Sequence, residues 1–321
     1  MHKTILVTGG AGYVGSVVVD ELLERGHRVR ALDVLLHGSV PSLLVSWAHP
    51  NFEFVRGDVR DAEARARALA DVDSVVHLAA IVGDPACARQ PDVARDVNLN
   101  GTHALLEDAE RSGVERFVFA STCSNYGKVN GNGYADETAT LAPVSLYAET
   151  KVAAEMDVLE PRTGLAPTCL RFATVYGTSP RMRFDLTVNE FTRDVALKGE
   201  LVVFGEQFWR PYIHVRDAAQ AVASVVDAPA ELVAGQVFNV GNTRENYRKL
   251  DLVELLRERL PDANVDFVHR DEDPRDYRVS FEKFGEAFAP QKRSVPEGID
   301  EVLTLVRSGL IEDPYAPSFR N

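Results

Sequence analysis

Tyr147 and Lys151 stand four residues apart in YAETK. On a helix that spacing puts both side chains on one face. A free phenol titrates near ~10, too high for a base at neutral pH, and a neighbouring ammonium stabilises its phenolate. The pair therefore reads as a proton acceptor made usable by its neighbour. A second stretch rich in chemistry is ASTCSNYG (120–127), which follows the apolar run FVF. A buried strand that ends in hydroxyls and a thiol either turns a corner or presents reactive groups.

A third signal stands at the start of the chain. GGAGYVG places Gly9, Gly12 and Gly15 three residues apart, directly after an apolar strand and at the opening of a helix. Glycine there permits a tight turn, close approach of backbone to a pyrophosphate, and close helix–strand packing. The helix start, at Tyr13 and Val14, offers free N–H groups to the phosphates. Asp33 closes the next strand, VRALD, where an acid bonds the ribose hydroxyls of a dinucleotide and repels a 2′-phosphate. NAD is thus expected rather than NADP, and its cationic nicotinamide ring adds to Lys151 in favouring a Tyr147 phenolate. Asp58, followed by Val59, closes the third strand, where it either meets the adenine edge or shapes the turn.

These residues need a frame. Strands are expected over 4–8, 28–33, 52–56, 74–79, 116–121 and 168–172, alternating with helices over 13–25, 61–70, 93–112 and 146–159. Near-continuous β-branched runs alternating with helices indicate a parallel sheet covered on both faces. Further on, helices are expected over 184–198 and 215–226, with a buried strand over 237–241. The fold class is therefore α/β: a Rossmann, doubly wound parallel sheet with a smaller C-terminal α+β substrate lobe. Residues 1–177, with 215–241 returning to them, form the dinucleotide-binding part; residues 178–214 and 242–321 form the lobe. Ligands of such sheets lie beyond the carboxyl ends of the strands, where ASTCSNYG falls.

GGAGYVG, Asp33, HLAA (77–80), the S-T-x-x-x-Y-G line and YAETK, in this order, resemble the extended short-chain dehydrogenase/reductase family, in its nucleotide-sugar epimerase and dehydratase group of the UDP-glucose 4-epimerase kind. The resemblance continues through LRFATVYG (170–177), VVFGEQFWRPYIHVRDAA (202–219) and FNVGN (238–242). It implies that Thr122 hydrogen-bonds the sugar hydroxyl, that Tyr147 takes its proton, and that Lys151 tunes the tyrosine and grips the ribose. It also implies that Leu78, Ala79 and Ala80 line the cofactor channel and that Asn98 lies near the nicotinamide. Arg210 in FWRPYIHV matches an arginine for the substrate diphosphate, an anion that a guanidinium grips bidentately. Arg275 in DPRDY (273–277) is the candidate for a second, with Arg270 and Arg278 as alternatives. Thr174 stands where many epimerases carry an asparagine near the phosphates. Arg181 and Arg183 reach either ligand or solvent, and His214 is read as structural.

One departure bears on the reaction. Related 4,6-dehydratases read S-T-D-E-x-Y-G, and their Asp and Glu eliminate water. Here those positions are Cys123 and Ser124. A thiol and a hydroxyl do not replace an acid and a carboxylate at neutral pH. Cys123 is read as a packing thiol, as are Cys87 and Cys169.

Composition narrows the partners. A net charge of -13 over 321 residues disfavours a nucleic-acid partner. The chain opens directly into a strand with no leader pattern, and no apolar run approaches ~20 residues, so no membrane and a reducing cytoplasm are expected. A homodimer is expected through helices 93–112 and 146–159. The expected activity is NAD-dependent epimerisation of a nucleotide-diphosphate sugar through a 4-keto sugar. Its competitors are a 4-ketosugar reductase, an atypical dehydratase and, from another class, a catalytically silent nucleotide sensor.

Overall fold

The computed structural model describes residues 2–129, 133–270, 275–290 and 292–321; Asp273 and Pro274 of DPRDY lie outside the described residues. In chain order the strands are β1 (Thr4–Thr8), β2 (Arg28–Asp33), β3 (Phe52–Arg56), β4 (Ser74–His77), β5 (Arg116–Thr122), β6 (Ala166–Phe172), β7 (Thr174–Tyr176), β8 (Glu200–Phe204), β9 (Trp209–His214), β10 (Gln236–Val240), β11 (Asn246–Arg248) and β12 (Asn264–Val268). Seven of them make one sheet in the order β3-β2-β1-β4-β5-β6-β10. Every pairing in it is parallel. The order reverses between β1 and β4, which opens a crevice at their carboxyl ends.

The helices are α1 (Tyr13–Glu24), α2 (Val40–Leu44), α3 (Ala62–Leu69), α4 (Asp84–Arg89), α5 (Pro91–Arg95), α6 (Thr102–Arg111), α7 (Leu146–Val158), α8 (Thr187–Lys198), α9 (Val215–Asp227), α10 (Ala230–Val233), α11 (Lys249–Arg257), α12 (Glu282–Phe288) and α13 (Val295–Arg307). Alternation along the strands sorts the core into two layers, because successive side chains leave opposite faces. Ile5, Val7, Val76, Val118 and Leu170 pack with Val18, Leu22 and Val222 of α1 and α9. Leu6, Val75, Phe117, Phe119 and Cys169 pack with Ala64, Leu105 and Ala154 of α3, α6 and α7. Burying a Leu, Ile or Phe side chain this way is worth roughly 1.5–3 kcal/mol.

The second part has its own core of Tyr176, Val188, Val203, Tyr212, Leu252 and Ile299. Its sheets are β11-β9-β7 and β12-β8. β7 follows β6 after one residue yet pairs with β9, so Thr174 belongs to this second sheet, opposite Tyr212.

The helix expected over 93–112 runs unbroken from Pro91 to Arg111 and widens in its middle. Between α5 and α6 the chain makes a wide π turn over Asp96–Gly101. Such turns often accompany functional residues, and Asn98 sits within this one.

Candidate active site

The β1–α1 turn is shaped by close backbone contacts. Gly9 has φ +72°, and a Cβ there would meet the Ala79 nitrogen at 2.9 Å. The Gly9 N–H donates to Leu32 O at 2.8 Å. Asp33 ties the turn to β2, accepting from Ala11 N–H at 3.0 Å and Leu35 N–H at 2.7 Å. Burial pushes its carboxyl up, against the pull of those N–H groups and of Arg181. Gly12 provides no side-chain cap to α1, and the first turn carries no acid. The first N–H groups of the helix, at Tyr13, Val14 and Gly15, therefore have no partner within it, which suits an anion. This donor set, beside an acid at the end of β2, fits a dinucleotide.

Tyr13 is buried, and its hydroxyl donates to Gly177 O at 2.7 Å. Ser179 Oγ donates to Tyr13 O at 2.6 Å, so the segment after β7 lies across the start of α1. Asp58 shapes a turn: it accepts from the Arg60 N–H at 2.9 Å and from its guanidinium at 3.0 and 2.7 Å. Those hydrogen bonds hold its carboxyl below the usual range. Val59 is buried beside it and its carbonyl accepts from Arg65 at 2.9 Å.

Beyond β4, Leu78, Ala79 and Ala80 run along the crevice, with the Ala79 N–H 3.3 Å from Thr8 Oγ1. His77 is a latch beneath them. Thr102 spends its one hydroxyl hydrogen on Asn98 O at 2.8 Å. His77 Nε2 at 2.9 Å must therefore donate to Thr102, and Nδ1 accept from Thr8 at 2.6 Å. Burial first, and Lys151 second, push this imidazole down to about 3, so it stays neutral. The buried amide of Asn98 accepts from Ile81 N–H at 2.7 Å and donates to Ile81 O at 3.0 Å and Thr150 Oγ1 at 3.3 Å. Asn98 thus staples the end of β4 to α7, its amide committed to protein groups on both sides.

Helix α7 begins at Ser145, whose Oγ accepts from Ala148 N–H and donates to Asp84 at 2.7 Å. One turn in, Tyr147 is half-buried with Thr122 beside it. Thr122 Oγ1 also accepts from Ser124 N–H at 3.1 Å. Lys151 is buried, with Nζ donating to Ala120 O at 2.8 Å and lying 4.6 Å over the Phe119 ring. Burial pushes Lys151 down to about 8. It pushes the Tyr147 phenol up, opposed by Arg183 and the nearby Thr122 hydroxyl. The structure thus brings Thr122, Tyr147 and Lys151 together at the mouth of the crevice.

Cys123 points away from them. It is 1% exposed, and its Sγ donates to Arg171 O at 3.2 Å. Burial pushes the thiol far up, so it stays protonated within the apolar core. Ser124 Oγ lies 3.3 Å from Tyr277 OH. Gly127 has φ +65°, and a Cβ there would meet Ala142 O at 2.0 Å, so the Tyr-Gly corner requires glycine.

The arginines separate. Arg210 on β9 is buried, donates to Trp209 O at 2.7 Å and lies 5.4 Å over the Tyr277 ring. Arg275 reaches back to the first part and pairs with Asp84 at 2.7 Å, next to Ser145. Arg183 grips Asp185 at 2.9 and 2.8 Å, and Arg181 donates to Arg320 O at 3.1 Å; both are buried. His214 caps α9 and holds Glu301 at 2.6 Å, a structural use. Asp84 and Ser145 carry no motif and were not expected at the site. Glu155 was not expected there either, although it continues the Tyr147–Lys151 helical face by four residues.

A parallel sheet with an uncapped glycine turn, an acid ending β2 and a hydroxyl–tyrosine–lysine set beyond β5 suits a dinucleotide-dependent enzyme. Residues 5–241 match the NAD dependent epimerase/dehydratase family. The chain belongs to that family, and NAD is its cofactor. It is 38% identical over 190 residues to a 3 beta-hydroxysteroid dehydrogenase/Delta 5-->4-isomerase of Mycobacterium tuberculosis; that match spans 56% of this chain and about half, 49%, of the relative. It is 30% identical over 275 residues to a UDP-glucose 4-epimerase of Halalkalibacterium halodurans, spanning 79% of each chain. A solved UDP-glucose 4-epimerase of Thermus thermophilus, in complex with NAD, superposes with a TM-score of 0.80 at 30% identity over 96% of this chain and 100% of that one.

Proposed function

We propose that this chain is an NAD-dependent epimerase of a nucleotide-diphosphate sugar, working through a transient 4-keto sugar. The observation that carries the reading is the Thr122–Tyr147–Lys151 set followed by Cys123 and Ser124 at the two positions where related dehydratases carry their acid and base. The thiol that replaces one dehydratase acid is turned into the core and bonded to Arg171 O. NAD, when bound, would supply a reversible hydride acceptor for the carbinol carbon. Gly9, Gly12, Gly15 and the N–H groups of Tyr13 and Val14 would hold its phosphates, and Asp33 its adenosine ribose. Thr122 holds the reacting hydroxyl while Tyr147 removes its proton, and the Lys151 ammonium stabilises the phenolate. Arg210 meets the diphosphate, with Arg275 and Thr174 nearby. Residues 1–177, apart from β7, which pairs in the second sheet, and 215–241 carry the cofactor; 178–214 and 242–321 carry the sugar nucleotide.

The longer matches to sugar-nucleotide epimerases, and a buried arginine on β9, favour a diphosphate substrate over a neutral steroid. The three thiols are all free and buried, which suits a reducing cytoplasm. Among the described residues no helix is long and apolar enough to cross a membrane. A homodimer would pair α6 and α7 with their copies, covering Met156, which is 67% exposed. Sedimentation as a monomer at micromolar concentration would reject it.

The test of the activity is incubation with UDP-glucose, UDP-galactose and UDP-glucuronic acid in D₂O, followed by NMR. Interconversion of 4-epimers with no net NADH and no deuterium on carbon is expected. Deuterium on a ring carbon beside the carbinol would replace simple 4-epimerisation with proton exchange at a ketone. Deuterium at C6 with loss of water would establish a dehydratase.

A further inference from the structure

We infer that Glu155, with Ser121 and Arg171, is a positioning residue that fixes the register of α7 along β5 and thereby the distance between Thr122 and Tyr147. Three successive residues of β5 meet three turns of α7. Thr122 stands beside the Tyr147 phenol. The Ala120 carbonyl accepts from Lys151 at 2.8 Å. Ser121 Oγ donates to Glu155 Oε2 at 2.6 Å. Two of these rungs lie where the chemistry is; the third does not.

Glu155 is 2% exposed and faces the interior. Arg171 on β6 holds its other side, with Nε 3.0 Å from Oε1 and 3.2 Å from Oε2, and Nη2 also on Oε1. Asn125 Nδ2 donates to Ser121 Oγ at 3.1 Å and lies 3.4 Å from Glu155 Oε2. Arg171 Nη1 donates to Tyr126 OH at 2.9 Å, and that hydroxyl donates to Asn239 of β10 at 2.7 Å. One carboxylate on α7 is thus bound to β5 and β6 and, through Tyr126, to β10.

A buried ion pair is weak evidence for stability, since desolvation offsets its attraction; fixing register is its best-attested use. A helix slides about 1.5 Å per residue, and a misplacement of order 1 Å at reacting groups costs roughly 100-fold in rate. An apolar contact would tolerate such a slide. A carboxylate gripped by a hydroxyl and a guanidinium from two strands does not, because leaving either unpaired in the interior is costly.

The inference rests on Thr122 and Tyr147 being the proton-transfer pair, and not on which sugar reacts. It can be tested without substrate. Ultraviolet pH titration of the NAD-loaded protein, with the Tyr147→Phe trace subtracted, reports ionisation of Tyr147. Ser121→Ala removes only the hydroxyl that Glu155 holds. It should raise the Tyr147 pKa by about one unit, because Thr122, whose hydroxyl holds it down, moves away. NAD content should stay near wild type, and the melting temperature should fall by a few degrees, since a buried carboxylate loses one of its partners. In a Thr122→Ala background the same change should do nothing more, since the hydroxyl it aligns is gone. An unmoved pKa in Ser121→Ala, or an undiminished shift in the double variant, overturns the inference. Ser121→Cys, nearly isosteric with a weaker donor, is read in the same way should Ser121→Ala prove insoluble. A Thr122→Ala protein with an unmoved Tyr147 would overturn the proton-transfer pair itself, and the positioning role with it.

Discussion

Lys151 is held by burial at a pKa of about 8, below its ordinary 10.5. Between those values the unfolded chain binds more protons at this site than the folded one, so this lysine's contribution makes stability rise with pH. The free-energy difference between wild type and Lys151→Met, from urea melts, should therefore move in favour of wild type as pH rises from about 8 to 10.5. A flat difference would mean that Lys151 is not desolvated as drawn. Its neighbour in function, Thr122, contrasts with Cys123 one residue on. Cys123→Ala should keep turnover within a few-fold, because the thiol faces the core and stays protonated. Thr122→Ala should lose at least about 10-fold, since a hydrogen bond to a reacting, partly charged oxygen is worth roughly 1.5–3 kcal/mol. Equal losses would return Cys123 to the chemistry.

Helix α7 carries Tyr147, Lys151 and Glu155, and how it begins decides where they stand. Ser145 does two things there: it caps the helix and donates to Asp84, which in turn holds Arg275. Ser145→Ala should cost about 0.5–2 kcal/mol, the usual worth of such a cap. It should also raise KM for a UDP-sugar more than it lowers NAD affinity, because Asp84 and Arg275 lose a partner while the glycine turn does not. Denaturant melts and steady-state kinetics check the two halves separately. The π turn before α6 works similarly as an element. It lets Asn98 bond both Ile81 and Thr150, which ties the crevice wall to the helix opposite.

At the scale of the molecule, the chain's last residues join parts that are far apart in sequence. Phe184 N–H donates to Phe319 O at 2.8 Å, and Asn321 N–H donates to Asp185 at 3.1 Å. Arg89 of α4 donates to Asn321 O at 3.0 Å. The segment these residues cover is pinned through Ser179 to the first turn of α1. Removing residues 319–321 should expose Arg181 and Arg183 and loosen that segment. NAD should then be lost more readily, seen as a lower cofactor-to-protein ratio after gel filtration. An unchanged ratio would show that the glycine turn and Asp33 retain the dinucleotide without help.

How much of this was legible follows from the range of each interaction. Gly9, Gly12 and Gly15, Asp33, and the Tyr147–Lys151 pair declare themselves because a turn, a strand end and a helical face are local geometries written in spacing. The two-faced sheet is equally local, since period-two alternation in Ile5, Leu6 and Val7 already assigns each side chain a layer. Thr174 could not be placed by its neighbours: one residue past β6, it joins a different sheet because Tyr212, far along the chain, offers the pairing edge. The same holds for Arg275 beside Asp84, and for Glu155 held between Ser121 and Arg171. The inward turn of Cys123 toward Arg171 O also belongs to this group. By itself the sequence determined which residues could do chemistry and the local elements that carry them. Which of those side chains face the crevice and which face the core was decided only by tertiary packing, because burial and hydrogen-bond partners come from residues that spacing does not relate.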